Sequence, residues 1–512
     1  MTLHLSILLW VPAAFGVLAL LLPGRATARA AALAGTAIAL AYAMFYVVDF
    51  DTGARGLQYV TDETWIAELG IHYKLGLDGL NLFLVLLAAA LWLAVSLWAA
   101  FDEPREREGL FFFHLLVGET AVLGALMAQD LGLFVAFFDL MLIPFFFLTG
   151  IWGKGTAGER VRGVTKLVIY TLVGSLLMLA AAIALAVLSA RETGGELSFV
   201  FSDLAQVRLA EGTQQWIFLC FAAAFLVKMP AFPLHGWMPD GYRLMPLPVL
   251  AVFSGVLSKV AAYGFLRIVT PLMPDASVHF QELMLLVGLA SILYGSAMAF
   301  TTTETRLILG YSSVAQLGFI LLGIFALNPQ GAQGAVLQSV NHGLVVAPAF
   351  FVVALLSARA AGSEDVREMG GIALRAPVLA TLFLIVALAN LAMPGSSNFA
   401  GEFLILLGVF DAKIVIAIVA FTGVVLASVY TLRLFIRAMH NRVGAQVASR
   451  DLSVRDGLVL VPLVLAILAL ALYPQLPLEK GERAVTDSVR AAGQIVSPQS
   501  PTAQRAPAPE VP

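Results

Sequence analysis

Cysteine is almost missing: one residue in 512, Cys220, and it lies inside an apolar run. Disulfides, cysteine-ligated zinc and iron–sulfur clusters held by this chain alone are excluded. No Gly-rich phosphate loop follows a strand pattern, and no His/Glu pair has metal-binding spacing on one helix face. Charge is scarce too, with 12% Asp, Glu, Lys and Arg against 60% hydrophobic residues and a formal net charge of -3. So thin a balance gives no hold on nucleic acid. Any redox centre the chain serves lies on another polypeptide.

What the chain has in abundance is apolar length, the composition of an all-α polytopic membrane protein whose solvent is the bilayer. A hydrocarbon core roughly 30 Å thick needs about 20 apolar residues per helical crossing. About 14 such spans are expected, near 3 to 22, 29 to 48, 80 to 100, 109 to 128, 131 to 152, 165 to 190, 215 to 235, 247 to 269, 280 to 300, 306 to 327, 331 to 357, 373 to 410 with a break, 413 to 436 and 456 to 474. They are numbered one to fourteen below. No basic residue precedes the first run and no small-residue cleavage site follows it, so it reads as a retained helix and not a secretory signal.

The basic residues divide by side. Connections after odd-numbered spans, with their flanks, hold eighteen Lys and Arg, from Arg25 and Arg29 to Arg450 and Arg455. Those after even-numbered spans hold six: Arg55, Lys74, Arg191, Arg208, Arg267 and Lys413. The positive-inside rule then puts odd connections in the cytoplasm and both termini outside. Two segments lie apart from the bundle. Residues 56 to 79 set β-branched and aromatic residues around turn-forming Gly and Asp, which predicts a small outer-face hairpin. The end of the chain, "SPQSPTAQRAPAPEVP", is Pro/Ala/Gln-rich, and residues 475 to 512 are expected to be a disordered tail.

Against this apolar background five charges stand well inside spans, Glu119, Asp139, Lys228, Lys259 and Glu402, together with His342. Each costs about 2.5 to 3.5 kcal/mol to insert, so the set costs on the order of 10 kcal/mol, comparable to the stability of a whole protein. Glu119 and Asp139 each lie about ten residues from the turn "AQDLG", roughly 15 Å at 1.5 Å per residue, which places both near mid-membrane. Lys228 and Lys259 lie as deep, giving a central layer of acids and bases. Such a layer is a candidate proton relay. Paired charges that only fix helix packing are the alternative for any single member, and a packing role is the alternative for His342, whose near-neutral titration suits it to link two bundles. Lys166 and Asp78 sit at helix ends, where snorkelling or capping explains them.

Two charges adjoin helix breaks. In "AAAFLVKMPAFPLHGWMPD" Pro230 and Pro233 follow Lys228, and in "NLAMPGSSNFAGEF" Pro394 and Gly395 precede Glu402. Proline removes a backbone donor and frees the carbonyl behind it, which lipid tolerates only where the break is buried in protein or lines water. The freed groups of span seven are expected to solvate the lysine. Broken helices five spans apart also suggest internal repeats. The expected organisation is N-terminal helices with the hairpin over 1–108, one five-helix unit over 109–272, an inverted second unit over 273–440 and a last helix over 441–474.

These residues resemble the antiporter-like membrane subunits of respiratory complex I, and among them the M-subunit (mitochondrial subunit 4) type. "FVAFFDLMLIPFFFLTGIWG", "KMPAFPLHGWMPD", "GVLSKVAAYGFLRI", "LILGYSSVAQLGFILLGIFA", "VNHGL" and "PGSSNFAGEFLILLG" follow the family's order and spacing. The resemblance implies a proton-translocating subunit of the bacterial inner membrane, working beside L-type and N-type subunits. NADH, FMN, iron–sulfur clusters and quinone would be held by partner subunits, with no cofactor on this chain. It assigns Asp139, Lys228, Lys259, His342 and Glu402 to the family's relay positions on spans five, seven, eight, eleven and twelve. A glutamate at 402 favours the M type, since L and N types carry lysine. The sequence departs from the family in the shorter acid Asp139, in Gln316 where histidine is frequent, so that a relay step there would need water, and in the loop "GYRLMPLPVL". A subunit of a multi-subunit sodium/proton antiporter or membrane-bound hydrogenase, and a non-conducting scaffold, are the competing expectations.

Overall fold

Every apolar run of the sequence forms helix, which in hydrocarbon is one of only two ways a backbone satisfies its own hydrogen bonds. A computed structural model of the chain describes residues 4–54, 56–103, 105–444, 447–448 and 450–496. Among the described residues eleven helices are long and apolar enough to cross a membrane: Arg25–Asp49, Leu82–Phe101, Glu108–Met127, Leu131–Trp152, Ala157–Thr193, Leu247–Leu272, Gln281–Thr301, Thr305–Phe325, Pro329–Arg359, Ile414–Met439 and Val454–Leu472. The other three expected spans are the shorter Leu5–Leu21, Glu211–Lys228 ahead of the first break, and the pair Pro377–Asn390 and Ser397–Ala412 around the second.

Burial shows which helices form the middle. Span ten, Thr305–Phe325, is buried at all of its 21 positions. The apolar windows of spans eight and eleven are 100% and 94% buried. Spans six and thirteen instead turn Ile169, Leu172 and Leu176, and Val415, Ile418 and Phe421, outward. The core therefore runs along spans eight, ten and eleven. Spans eight and eleven approach backbone to backbone, because a Cβ on Gly343 would stand 2.5 Å from the Gly255 carbonyl oxygen.

Strands β1 (Gln58–Ile66) and β2 (Ile71–Leu77) pair antiparallel as expected. Asp130, which caps span five by accepting from Leu133 N at 2.9 Å, also accepts from His72 N at 3.0 Å, so the hairpin is fastened to the turn between spans four and five. The tail needs correction. Gln475–Val496 is a 22-residue helix whose buried positions Pro477, Gly481, Val485, Val489 and Ala492 recur every three to four residues. Its polar face hides that stripe in the composition. The helix lies across the hairpin end of the bundle, where Lys480 Nζ donates to Phe50 O at 3.0 Å and Thr270 Oγ1 to Ser488 O at 2.9 Å. The Pro/Ala/Gln-rich residues 497–512 lie outside the described residues.

Two further features carry no mark in the hydropathy. Span five divides at Met141 into Leu131–Leu140 and Leu142–Trp152, since Pro144 has no N–H for the carbonyl of Leu140. Span eight contains two π-helical stretches, Phe253–Leu257 and Phe265–Val269, on either side of Lys259.

Candidate proton relay

The first break begins where helix Glu211–Lys228 ends. Pro230 cannot donate, Ala231 N reaches back to Leu226 O at 3.0 Å, and Phe232 N is taken by Ser291 Oγ of span nine at 2.9 Å. The Val227 carbonyl accepts the indole N–H of Trp237 at 2.9 Å. The expectation that freed carbonyls solvate Lys228 is thus wrong for this carbonyl, because an aromatic donor inside the break claims it first. The Pro233 peptide is cis.

Lys228 finds its partners on span five. Its Nζ donates to Phe138 O at 3.2 Å and lies 4.4 Å from the centroid of the Phe138 ring. Asp139, the next residue, is the charge that acts on Lys228, and its Oδ1 has no protein partner. The lysine is thus held by a carbonyl, an aromatic face and the field of a nearby carboxylate. It makes no contact ion pair among the described residues.

Lys259, fully buried, donates to Ser254 O at 2.6 Å and Ser258 Oγ at 3.2 Å. Ser254 is five residues back and lies in the first π stretch, where backbone bonding shifts from four to five residues. Lys259 is also the charge that acts on His342, whose two ring nitrogens have no protein partner. His342 precedes Gly343, the point of backbone contact with span eight. The close approach of the two helices puts the imidazole within electrostatic reach of the lysine.

Glu402 closes the series. Its Oε1 accepts Gln316 Nε2 at 2.7 Å and Gln338 Nε2 at 3.4 Å, and Gln338 Nε2 also donates to Gln316 Oε1 at 2.8 Å. Gln316, the position at which a relay step was expected to need water, thus bonds Glu402 directly. Span ten joins the two ends of this axis, since Ser313 Oγ lies 3.3 Å from Ser254 Oγ on the Lys259 side. Between spans eleven and twelve, Gln338 Oε1, Asn341 Oδ1, Ser397 Oγ, both side-chain polar atoms of Asn398 and Glu402 Oε2 are buried without a protein partner. Buried polar atoms in such number are the kind that ordered water satisfies. Pro394 and Gly395, the latter at φ +91, open the second break, and Asn341 Nδ2 holds Ser397 O at 2.6 Å just past it.

The structure thus brings Asp139 to Lys228 and Lys259 to His342, and sets Glu402 between Gln316, which the sequence singled out, and Gln338, which it did not. It does not bring Glu119 to them. That carboxylate is fully buried, and among the described residues neither of its oxygens has a hydrogen-bond partner. Among the described residues no group of three His, Cys, Asp or Glu could hold a metal ion.

Likeness to known proteins follows the same segments. Subunit M of the NADH-quinone oxidoreductase of Rhodobacter capsulatus is 34% identical over 486 residues, 92% of this chain and 93% of that protein. The Escherichia coli K12 subunit M is 36% identical over 445 residues, 86% and 87% of the two. A chain of the structure of respiratory complex I from Thermus thermophilus with bound NADH superposes with a TM-score of 0.86 at 30% identity, covering 96% of this chain and 100% of that one. A chain of the Mrp complex from Dietzia sp. DQ12-45-1b shares the fold, with a TM-score of 0.79 at 21% identity over 96% and 98% of the two chains. Residues 128–427, which hold Asp139, Lys228, Lys259, His342 and Glu402, match the family described as NADH:quinone oxidoreductase/Mrp antiporter, TM, and the chain belongs to that family.

Proposed function

We propose that protons cross this chain along the buried axis from Asp139 and Lys228, through Lys259 and His342, to Glu402, as the work of a membrane subunit of an NADH:quinone oxidoreductase. Likeness over nearly the whole chain to subunit M proteins supports the complex, and the buried charges support the task. The arrangement at Lys228 carries the reading. A scaffold would lock its buried charges into contact ion pairs, whereas here an ammonium and a carboxylate act on each other without a contact bond and can change separation cheaply. A carboxylate close by favours the charged lysine, and an apolar setting favours the neutral one, so small helix movements move a proton.

The finer parts of the reading belong with it. Redox chemistry takes place on partner subunits that hold NADH, FMN, iron–sulfur clusters and quinone, with L-type and N-type subunits as membrane neighbours. Spans four to eight and nine to thirteen act as two five-helix units. An odd number of helices inverts the second unit against the first, which sets the break of span seven and the break of span twelve in opposite senses. The basic end of the bundle faces the cytoplasm of a bacterial cell and the hairpin end faces outward.

Lys228→Ala in the assembled complex tests the reading. Removing a buried charge relieves a desolvation cost, so assembly on native gels is expected to be normal, while NADH-driven proton uptake into inverted membrane vesicles falls to a small fraction of the parent rate. Pumping at the parent rate would overturn the relay.

A further inference from the structure

The break in span twelve carries a polar cluster that the relay does not use. Helix Pro377–Asn390 ends on Asn390 just before its break, as helix Glu211–Lys228 ends on Lys228 before the first. An amide thus stands where the first break has an ammonium. Asn390 Nδ2 donates to Ser312 Oγ at 3.2 Å and to Thr431 Oγ1 at 3.1 Å, and Ser312 Oγ lies 3.0 Å from Tyr430 Oη. All four residues are buried.

The cluster is joined to the relay at one side. Ser312 lies one helical turn before Gln316 on the same face of span ten, and Gln316 bonds Glu402. Glu402 also acts electrostatically on Tyr430 of the adjoining helix Ile414–Met439. At the other side is a narrow crevice with room for about one water, lined by Ile308, Leu309, Phe383 and Leu434, with Asn390 and Tyr430 in its wall. Ile308 precedes Ser312 on span ten, Phe383 precedes Asn390 on span twelve, and Leu434 follows Tyr430 on span thirteen. On each helix the crevice residue is the one nearer the basic end. The cluster therefore separates an opening toward that end from the carboxylate.

The chemistry of the four groups is unequal. A Ser–Tyr hydroxyl pair can bond in either direction, so it passes a proton on by exchange without holding net charge in a low-dielectric site. Asn390 does not titrate, and its amide fixes the Ser312 oxygen from one side. We propose that Ser312 and Tyr430 form a second proton-conducting branch, through which Glu402 is loaded from the cytoplasmic end of its own five-helix unit as well as from Lys259. A proton arriving at Ser312 Oγ forms an O–H bond there as the hydroxyl's own proton moves to Tyr430 Oη, and Tyr430 gives up its proton in turn toward the Glu402 carboxylate. Each hydroxyl ends as it began, and the carboxylate gains the proton.

The branch rests on the proposed relay, and the experiment separates the two. Tyr430→Phe keeps the ring and removes only the hydroxyl, and Ser312 keeps Asn390 as a donor. With the whole complex in vesicles driven by NADH, Tyr430→Phe and Ser312→Ala are each expected to lower pumping per assembled complex to below half of the parent, while Ser312→Thr, which retains a hydroxyl, pumps like the parent. Parent-like pumping by both Tyr430→Phe and Ser312→Ala, beside a dead Lys228→Ala, would overturn the branch and leave the relay standing. Losses that match reduced assembly in both variants would equally overturn it, because a cluster that only packs helices predicts that result. Parent-like pumping by Lys228→Ala would sink the relay itself.

Discussion

Asp139 acts on Lys228 through space, without a hydrogen bond between them, and that makes its charge the property to test. Asp139→Asn keeps size and bonding capacity but removes the field, so severe loss of pumping at normal assembly is expected in membrane vesicles. Asp139→Glu restores the side chain usual in the family and is expected to keep at least half of the activity, although one added methylene at a packed site carries some cost. Glu402 poses the complementary question. Two amides converge on its Oε1, while Oε2 has no protein partner. Glu402→Gln removes the titrating group and is expected to abolish most pumping, and Glu402→Lys to restore part of it, since either sign of ionisable group serves at a polar break. The reverse order would make the carboxylate a structural group. The five charges and His342 are legible in the sequence because an ionisable residue inside an apolar run is conspicuous and expensive. Gln338, Asn390 and Tyr430 are not, and Gln316 stands out only through the family resemblance. Neutral amides and hydroxyls are common packing groups between membrane helices, so they single out no site, and Gln316 meets Glu402 across 86 positions of chain.

At the scale of the helix, proline announces a break but not what heals it. Pro230 and Pro233 mark the interruption of span seven from sequence alone, yet the use of the Val227 carbonyl by Trp237 depends on a fold-back that no local pattern encodes. The π stretches around Lys259 are equally silent, because a shift in bonding register leaves composition unchanged. The amphipathic helix Gln475–Val496 is a different failure. Its apolar stripe recurs at a period of 3.6, but the polar residues between keep the mean polarity of the segment as high as that of a tail. Glycine carries a more testable message. At Gly343 an added methyl would meet the Gly255 carbonyl and the Leu87 side chain, both inside 3 Å, and backbone cannot yield as a flexible side chain does. Gly343→Ala is therefore expected to push spans eight and eleven apart at a cost of about 1 to 3 kcal/mol. A lower melting temperature of the detergent-solubilised complex, with pumping lost because His342 is drawn from Lys259, is the expected result. An unchanged melting temperature would mean that the helices adjust freely.

For the molecule as a whole, the basic end holds a clasp between the two proposed units. Arg306, on span ten and 1% exposed, donates from Nη1 to the carbonyls of Tyr242, Arg243 and Met245, at 2.7, 2.9 and 2.8 Å, in the connection between spans seven and eight. Its Nε and Nη2 grip Glu364, from the connection between spans eleven and twelve, at 2.5 and 2.7 Å, and Lys154 pairs with the same carboxylate. One arginine thus ties the far side of the first break to the segment leading into the second. Burial works against the Glu364 charge, but the hydrogen bonds and charges of Arg306 and Lys154 outweigh it and hold the carboxyl below its ordinary value. A depressed carboxylate contributes stability that is full above the ordinary glutamate value of about 4.3 and is lost as pH falls through the lower value in the fold. Glu364→Gln leaves Arg306 and Lys154 without their anion and is expected to cost about 1.5 to 3 kcal/mol near neutral pH, the range for hydrogen bonds to charged groups. The gap in melting temperature between parent and variant should be constant from pH 7 to about pH 5 and close below about pH 4, where the parent's own carboxyl takes up a proton. A gap that persisted unchanged into acid would show that the variant loses packing at the clasp and not its charge.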